Sequence, residues 1–235
     1  VPPFVLGLNT ESFVSVRTEP LYRDALLLSM QVAAVTTALC LAIGYPMALG
    51  IARAPERWRD PLLLATMLPF WTGFLMRVNA WIGLLSDNGS IAGLLSFLAG
   101  EPVRLLDTAA ALYIGMVYTY LPFMVLPLYA SLSRLDPALR EAAADLGASP
   151  FQVLWQITIP LSVPGIVAGC ALVFVPALGE YVIPELLGGP GAQLVGRVLK
   201  SEFMDNRDWP MACALAVVLL ALAFGAMAAV RRREP

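Results

Sequence analysis

Histidine is absent from this chain of 235 residues, and Lys200 is its only lysine. The lack of histidine excludes a zinc site of the His-Glu-x-x-His type, a serine–histidine pair and a histidine proton relay. The glycine-rich loop that ends in Gly-Lys-Ser or Gly-Lys-Thr is also missing, so the chain cannot bind ATP through such a loop.

Charged residues are scarce as well. They make up 14% of the chain, against about a quarter in soluble domains. Hydrophobic residues make up 59%, and the mean hydropathy is +0.75. The hydrophobic residues are grouped in long runs, which a soluble core does not require. This composition indicates a membrane protein.

Five runs are long enough to cross a bilayer, which takes about 20 residues. Because a backbone in hydrocarbon must satisfy its own hydrogen bonds, each run is predicted to be one helix. Strands of alternating polarity, as in a β-barrel, are not evident. We therefore predict an all-α, polytopic membrane protein with a single transmembrane domain. The predicted spans are residues 24–53, 61–85, 108–133, 161–187 and 210–230.

The three cysteines lie in three different predicted spans, at Cys40, Cys170 and Cys213. No pair has the spacing of metal ligands, so we interpret them as small packing residues and predict no metal site.

Arginine is more frequent in one set of connections than in the other. By the positive-inside rule, the richer set faces the cytoplasm, which includes residues 134–160 and the C-terminus. Residues 1–23 are then predicted to form an outer loop. Since the sequence begins with Val1 and shows no signal peptide, we expect a further span to precede it. A short helix is also expected in the outer connection, beginning at Ser90 and ending at Gly100.

The loop at 134–160 contains the polar stretch "EAAADLGASP". Asp136 is a good N-cap, Pro137 a good first helical residue and Gly147 a good C-terminal stop. Ser149 is predicted to cap a second helix that ends before Pro160. The first helix would present one apolar face, composed of Leu139, Ala142, Ala143 and Leu146. A helix of this length is not stable alone in water, so it should rest either on the membrane surface or in a groove of a partner.

The segment "EAAADLGASPFQVLWQITIPLSVPGIVAG" resembles the EAA motif of permease subunits of ATP-binding-cassette (ABC) importers. Glu141, Ala142, Ala143 and Gly147 match the motif position by position, whereas Ile159 stands where the family usually has leucine before proline. Four other segments resemble the polyamine branch, and especially putrescine-importer permeases. They are "PFWTGFLMRVNAWIGLLSDNG", "YIGMVYTYLPFMVLPLYASL", "LVFVPALGEYVIPELLGGP" and "EFMDNRDWP".

The resemblance implies the type I importer permease fold, with about six spans, in the bacterial inner membrane. It also implies a second, homologous permease, two copies of a cytoplasmic ATPase that would bind ATP and Mg²⁺, and a periplasmic polyamine-binding protein. The permease itself would need no cofactor, bind no nucleic acid and catalyse no reaction. The residues implied in coupling to the ATPase are Arg140, Glu141, Ala142, Ala143, Asp145, Leu146 and Gly147.

A path for a putrescine-like cation needs acceptors and aromatic faces, since the substrate carries two ammonium groups separated by methylenes. Glu180 is the best acidic candidate, because ionisable residues within spans are often functional. Glu180 and Arg77 lie about 28 Å and about 24 Å along their predicted spans, so a structural ion pair between them is equally consistent with the sequence. The aromatic candidates are Trp71, Trp81, Tyr118, Tyr120 and Tyr181, although such residues near span ends commonly anchor the helix at the interface.

Three other functions are alternatives to a polyamine importer. An importer permease for another small solute is compatible with the EAA motif. A self-sufficient secondary transporter or channel would be expected to show an internal repeat or ion-site residues at mid-membrane, and neither is evident. An intramembrane enzyme is disfavoured by the absence of histidine and of paired aspartates within the spans. Co-purification with an ATPase would distinguish an importer permease from a secondary transporter or channel and from an intramembrane enzyme.

Overall fold

The computed structural model describes residues 11–231. It is built of α-helices, with a 3₁₀ turn at Leu68–Trp71 and π-helical turns at Leu154–Thr158 and Ser201–Asp205. The helices, in chain order, are α1 (Glu11–Thr18), α2 (Pro20–Arg53), α3 (Glu56–Met67), α4 (Phe74–Leu85), α5 (Ser90–Ala99), α6 (Ala109–Leu132), α7 (Pro137–Asp145), α8 (Pro150–Val153), α9 (Ile159–Leu161), α10 (Val163–Leu178), α11 (Val182–Leu187), α12 (Val195–Lys200) and α13 (Trp209–Arg231).

Helices α2, α6 and α10 form the centre of the bundle and pack against one another. The contact between α6 and α10 is close because α10 has glycine where the two helices meet. A Cβ atom on Gly165 would lie 2.5 Å from Cβ of Ser131, and one on Gly169 would lie 2.7 Å from Sδ of Met124. Small residues at such positions allow membrane helices to approach each other.

The two ends of the bundle are formed by different helices. We call the end at which α2 and α6 terminate, and at which α7 lies, the α7 end. At the opposite end, α1 packs against α2 and α13, and α12 contacts both. The backbone N–H of Val195 donates to the buried Ser29 hydroxyl at 2.7 Å, which attaches α12 to α2.

Within residues 11–231, four helices or helix pairs are long and apolar enough to cross a membrane. They are Pro20–Arg53, Phe74–Ala99, Ala109–Leu132 and Trp209–Ala228. A fifth is obtained if Pro150–Leu161 and Val163–Leu178, which meet at an angle of 67°, form one broken span. The expected short helix after Ser90 is present as α5, and it ends at Gly100, whose φ is 78°.

The prediction that each apolar run is one helix is wrong in two places. In the run 61–85, the helix ends at Met67, and a 3₁₀ turn containing Pro69 and the extended Thr72 precede α4. In the run 161–187, the helix ends at Leu178, and α11 begins only at Val182. Backbone irregularities of this kind are tolerated in a membrane where other groups satisfy the freed backbone.

The prediction that residues 1–23 form a loop is wrong for the described part. Residues Glu11–Thr18 form α1, and α2 begins at Pro20. Val16 is buried against the α12–α13 region with Tyr22 and Leu215, so α1 belongs to the packed bundle. Residues 1–10 lie outside the described range.

Candidate functional site

Helix α7 has the ends predicted from the sequence. The carboxylate of Asp136 accepts from the backbone N–H of Ala138 at 2.9 Å, and Pro137 occupies the first helical position. At the other end Gly147 has a φ of 82°. Its N–H donates to the Ala144 carbonyl, and the N–H of Ala148 donates to the Ala143 carbonyl. These two bonds form a Schellman motif, which closes the helix and turns the chain sharply.

The segment after the turn is capped as predicted but ends differently. The hydroxyl of Ser149 accepts from the N–H of Gln152, and the Gln152 side chain accepts from the N–H of Ser149, so the two residues form a capping box. The prediction that this second helix ends before Pro160 is wrong. A π-helical turn at Leu154–Thr158 leads into α9, which includes Pro160. The N–H of Ile159 donates to the Leu154 carbonyl, so the hydrogen-bond spacing has already shifted before the proline.

The apolar face of α7 is not covered by the rest of the described chain. Leu139 is 47% exposed and Leu146 is 89% exposed. Phe151 and Trp155, in the segment after the turn, are 69% and 57% exposed and their rings contact each other. A group of exposed large apolar side chains is typical of a protein or membrane contact. Of the predicted coupling residues, the exposed ones are Glu141, Ala142, Asp145, Leu146 and Gly147, while Arg140 and Ala143 are half-buried.

Glu180 occupies the break between α10 and α11. One carboxylate oxygen accepts from the hydroxyl of Tyr120 at 2.6 Å. The other accepts from the backbone N–H groups of Tyr181 at 3.1 Å and Val182 at 3.0 Å. Glu180 is therefore joined to Tyr120, another predicted path residue, and its carboxylate satisfies backbone donors that the break leaves free.

A second pair of predicted aromatic residues is also brought together. The rings of Trp81 and Tyr118 meet edge to face, with centroids 5.3 Å apart. Both line an open cavity of about 380 Å³ together with Thr72, Met76 and Arg77. This edge-to-face arrangement is a favourable one for aromatic rings.

The predicted ion pair between Arg77 and Glu180 is not formed. The guanidinium of Arg77 donates to the Pro69 carbonyl and lies 5.4 Å and 5.9 Å from the ring centroids of Phe70 and Phe74. Arg77 thus stabilises the 3₁₀ turn before its own helix. The positions of Arg77 and Glu180 along their predicted spans do not reveal this arrangement, because it depends on the break that places a free carbonyl beside the arginine.

Two predicted path residues are exposed to different degrees. Trp71 is 80% exposed at the end of the 3₁₀ turn, and Tyr181 is 42% exposed. The side chain of Trp71 makes no ring contact within residues 11–231. In the structure, Glu180 is therefore hydrogen-bonded to Tyr120 and the rings of Trp81 and Tyr118 are in contact, whereas Trp71 lies apart from them.

The other acid of the fourth apolar run, Glu185, has a different role. Its carboxylate pairs with the ammonium of Lys200 at 2.9 Å, and both side chains are about one-third exposed. This contact raises the pKa of Lys200, chiefly through the hydrogen bond from the ammonium to the carboxylate. An exposed pair of this kind contributes little to stability.

Sequence analysis missed a buried contact at the end opposite α7. Glu202 is 8% exposed, and its carboxylate accepts from the Tyr22 hydroxyl at 3.2 Å and from the Asn206 amide at 2.9 Å. The contact joins α2 to the segment before α13. The acid lies in "EFMDNRDWP", one of the four segments that resemble the polyamine branch, and a contact 180 residues away in sequence leaves no local pattern.

Comparison with known proteins gives consistent similarities. A family model described as "Binding-protein-dependent transport system inner membrane component" matches residues 41–235. The chain is 44% identical over 203 residues to the spermidine/putrescine transport system permease protein PotB of Salmonella typhimurium (strain SL1344), covering 86% of this chain and 71% of that protein. It is 43% identical over 203 residues to PotB of Escherichia coli (strain K12), covering 86% and 74%.

Among solved structures, the chain resembles one of a bacterial ABC transporter involved in the import of the acidic polysaccharide alginate. The TM-score is 0.75 and the sequence identity is 20%, with coverage of 100% of this chain and 86% of that one. This similarity concerns the fold.

Proposed function

Because the chain belongs to the family of inner-membrane components of binding-protein-dependent transport systems, we propose that it is the membrane-spanning subunit of an ATP-driven polyamine importer. It is a multi-pass protein of the inner membrane and a transport component rather than an enzyme. Its all-helical architecture is that of a type I ABC importer permease.

The observation that supports the substrate class most strongly is the similarity to the spermidine/putrescine permeases. Identity of 44% extends over 86% of the chain. By contrast, the alginate importer, at 20% identity, shares the fold while handling an acidic polysaccharide. Substrate class therefore follows the sequence similarity rather than the fold.

Coupling to ATP hydrolysis is assigned to α7 in this proposal. Both ends of α7 are fixed by hydrogen bonds, and its exposed face carries Leu139 and Leu146. A rigid, exposed amphipathic helix suits a groove on a partner protein. The partner would be the ATPase dimer, which would bind ATP and Mg²⁺ and face α7 from the cytoplasm. The proposed coupling residues are Arg140, Glu141, Ala142, Ala143, Asp145, Leu146 and Gly147.

The substrate path is proposed to pass Glu180 and its aromatic neighbours. Glu180 supplies a carboxylate at a break between two helices, and Tyr120 supplies a hydroxyl and a ring. Ammonium groups bind favourably to both kinds of group. Tyr118 and Tyr181 belong to the same proposed wall. Trp71 stands apart from them at the exposed end of the 3₁₀ turn, and it is proposed to join the path where a second homologous permease would pack.

The transport cycle we propose is alternating access. A periplasmic binding protein delivers the polyamine to the outer face, and ATP-driven closure of the ATPase pair moves α7 and opens the spans outward. Hydrolysis then returns the path to the inward-open state. The interrupted runs at 68–73 and 179–181 are natural positions for such movement, because backbone without regular helical bonds absorbs changes in φ and ψ.

Competition for uptake tests the proposed substrate. Cells that express this chain with its partner subunits would be given radiolabelled putrescine, with unlabelled putrescine, spermidine, arginine or alginate oligosaccharide as competitors. We expect the two polyamines to compete and the other two compounds not to. Competition by arginine or the oligosaccharide alone would contradict the polyamine proposal while leaving the family membership intact.

A further inference from the structure

Three arginines converge on one cavity at the α7 end of the bundle. The cavity has a volume of about 230 Å³, and Arg53, Arg59 and Arg140 line it. They come from the last residue of α2, the first turns of α3 and the middle of α7. Arg53 and Arg59 come from helices that are adjacent in sequence, whereas Arg140 comes from a helix far along the chain, and all three arginines line the same cavity.

The three arginines have no acidic partner in the part of the chain that the structure describes. Among residues 11–231, none of the three forms an ion pair with Asp or Glu. Within residues 11–231, the guanidinium groups of these arginines make one hydrogen bond, in which Nε of Arg59 donates to the Ala54 carbonyl at 2.9 Å. The carbonyl ends of α2 and α6 offer only partial negative charge. Like charges around a small cavity repel each other, so the arrangement is favourable when an anion binds between them.

The remaining lining indicates where the anion comes from. Leu49 and Ala52, in the last turns of α2, and Leu132, at the end of α6, form an apolar wall beside the arginines. Both helices are long and apolar enough to cross a membrane, so the cavity lies where these spans leave the hydrocarbon. A pocket that is basic on one side and apolar on the other matches a phosphate headgroup with its attached acyl chains, and basic pockets between spans on the cytoplasmic side bind such headgroups.

We propose that this cavity, the triple-arginine pocket, binds the phosphate of an anionic phospholipid of the inner leaflet. Arginine suits the task because its planar fork can donate two hydrogen bonds to one phosphate. The bound lipid would connect the end of α2 to α3 and α7. It would also keep Arg140, on the coupling helix, in contact with the membrane surface.

The test counts lipids bound to the intact protein. The full chain, tagged and extracted with its partner subunits from membranes containing phosphatidylglycerol, is examined by native mass spectrometry. We expect Arg53→Gln/Arg59→Gln to weaken phosphatidylglycerol retention about 25-fold, at about fivefold for each arginine removed near a membrane surface. Arg57→Gln is the matched control, because Arg57 is exposed on the same turn of α3 and does not line the pocket.

Each alternative occupant gives a distinct result. Unchanged retention in the double variant overturns the proposal, and so does an equal loss in Arg57→Gln, which would indicate diffuse surface charge. If the double variant retains phosphatidylglycerol but the ATPase is no longer extracted with it, the pocket binds an acidic segment of a partner protein instead. If inorganic phosphate stabilises the detergent-extracted protein against heat as much as phosphatidylglycerol does, the site is one for free phosphate. Should the double variant fail to fold, Arg53→Gln alone decides, with an expected loss of about fivefold.

Discussion

At the residue scale, the carboxylate of Glu180 combines a structural and a proposed functional role. It accepts hydrogen bonds from Tyr120 and from two backbone N–H groups, so removal of the whole side chain would disturb the break between α10 and α11. A cation on the path would meet the same carboxylate. The two roles can be separated by a substitution that keeps an acceptor oxygen and removes the charge.

Glu180→Gln is that substitution. Its amide oxygen can still accept from the backbone, so we expect near-normal protein levels. Polyamine uptake should fall about tenfold to a hundredfold in kcat/KM, since a hydrogen bond to a charged group contributes about 1.5–3 kcal/mol. Uptake by whole cells, normalised to protein level, measures this effect.

Glu185→Gln is the matched control, because Glu185 lies on the next helix and pairs with Lys200 at a partly exposed position. It should leave uptake within about twofold, as expected for an exposed pair. Full uptake by Glu180→Gln at a normal protein level would remove Glu180 from the path.

At the element scale, α7 is a helix whose ends are set by its own sequence. Asp136, Gly147 and Ser149 act on neighbours within five residues, and for this reason all three caps could be predicted from the sequence. The partner of Arg77 could not, because its acceptor is the Pro69 carbonyl in the 3₁₀ turn at Leu68–Trp71, and a proline in an apolar run does not by itself specify that turn. The triple-arginine pocket could not be predicted either, because its arginines come from three separate helices that meet only in the folded chain.

Gly147→Ala tests whether the end of α7 matters for coupling. At a φ of 82° an alanine costs about 1–2 kcal/mol in backbone strain, although no atom lies within 4 Å of its Cβ position. We expect the ATPase activity that the loaded binding protein stimulates to fall about fivefold or more in the purified complex, because the sharp turn after α7 is weakened.

The control for that substitution is Gly50→Ala, in the regular helix α2. There the Cβ position is also open, and alanine favours helix. Stimulated ATPase activity should be unchanged or slightly higher. Equal loss in both variants would show that the glycine-to-alanine change, rather than the left-handed turn, is responsible.

The packing of α6 against α10 yields a separate prediction. In Gly165→Ala the new Cβ would lie 2.5 Å from Ser131 Cβ and 2.8 Å from the Pro127 carbonyl oxygen, so the helices must move apart. Overpacking of this kind costs about 1–3 kcal/mol, which corresponds to a Tm about 2–12 °C lower.

A thermal-shift measurement on the detergent-extracted chain checks this value. Gly225→Ala, in α13, serves as the control because nothing lies within 4 Å of its Cβ position. A Gly165→Ala variant as stable as Gly225→Ala would mean that α6 and α10 are farther apart than the structure places them.

At the scale of the whole molecule, the chain is one subunit of a transport system. It has a fixed and exposed α7, a group of acceptors and aromatic rings near Glu180, and no glycine-rich phosphate-binding loop of its own. The all-α class and the family followed from composition and from the EAA motif, because hydrophobic runs and short motifs are local properties. The breaks at 68–73 and 179–181 did not follow, because the contacts found there, of Arg77 with the Pro69 carbonyl and of Glu180 with Tyr120, are not visible in the pattern of apolar residues.

Uptake into proteoliposomes tests the central claim that this chain is a permease subunit of a polyamine importer and that transport through it depends on a separate ATPase. The chain and its partner permease are reconstituted with or without the ATPase, in the presence of the loaded binding protein and radiolabelled putrescine. We predict uptake only when both ATPase and ATP are present, and strongly reduced uptake with Gly147→Ala in this chain. Uptake by the two permeases alone, without ATP, would contradict the account.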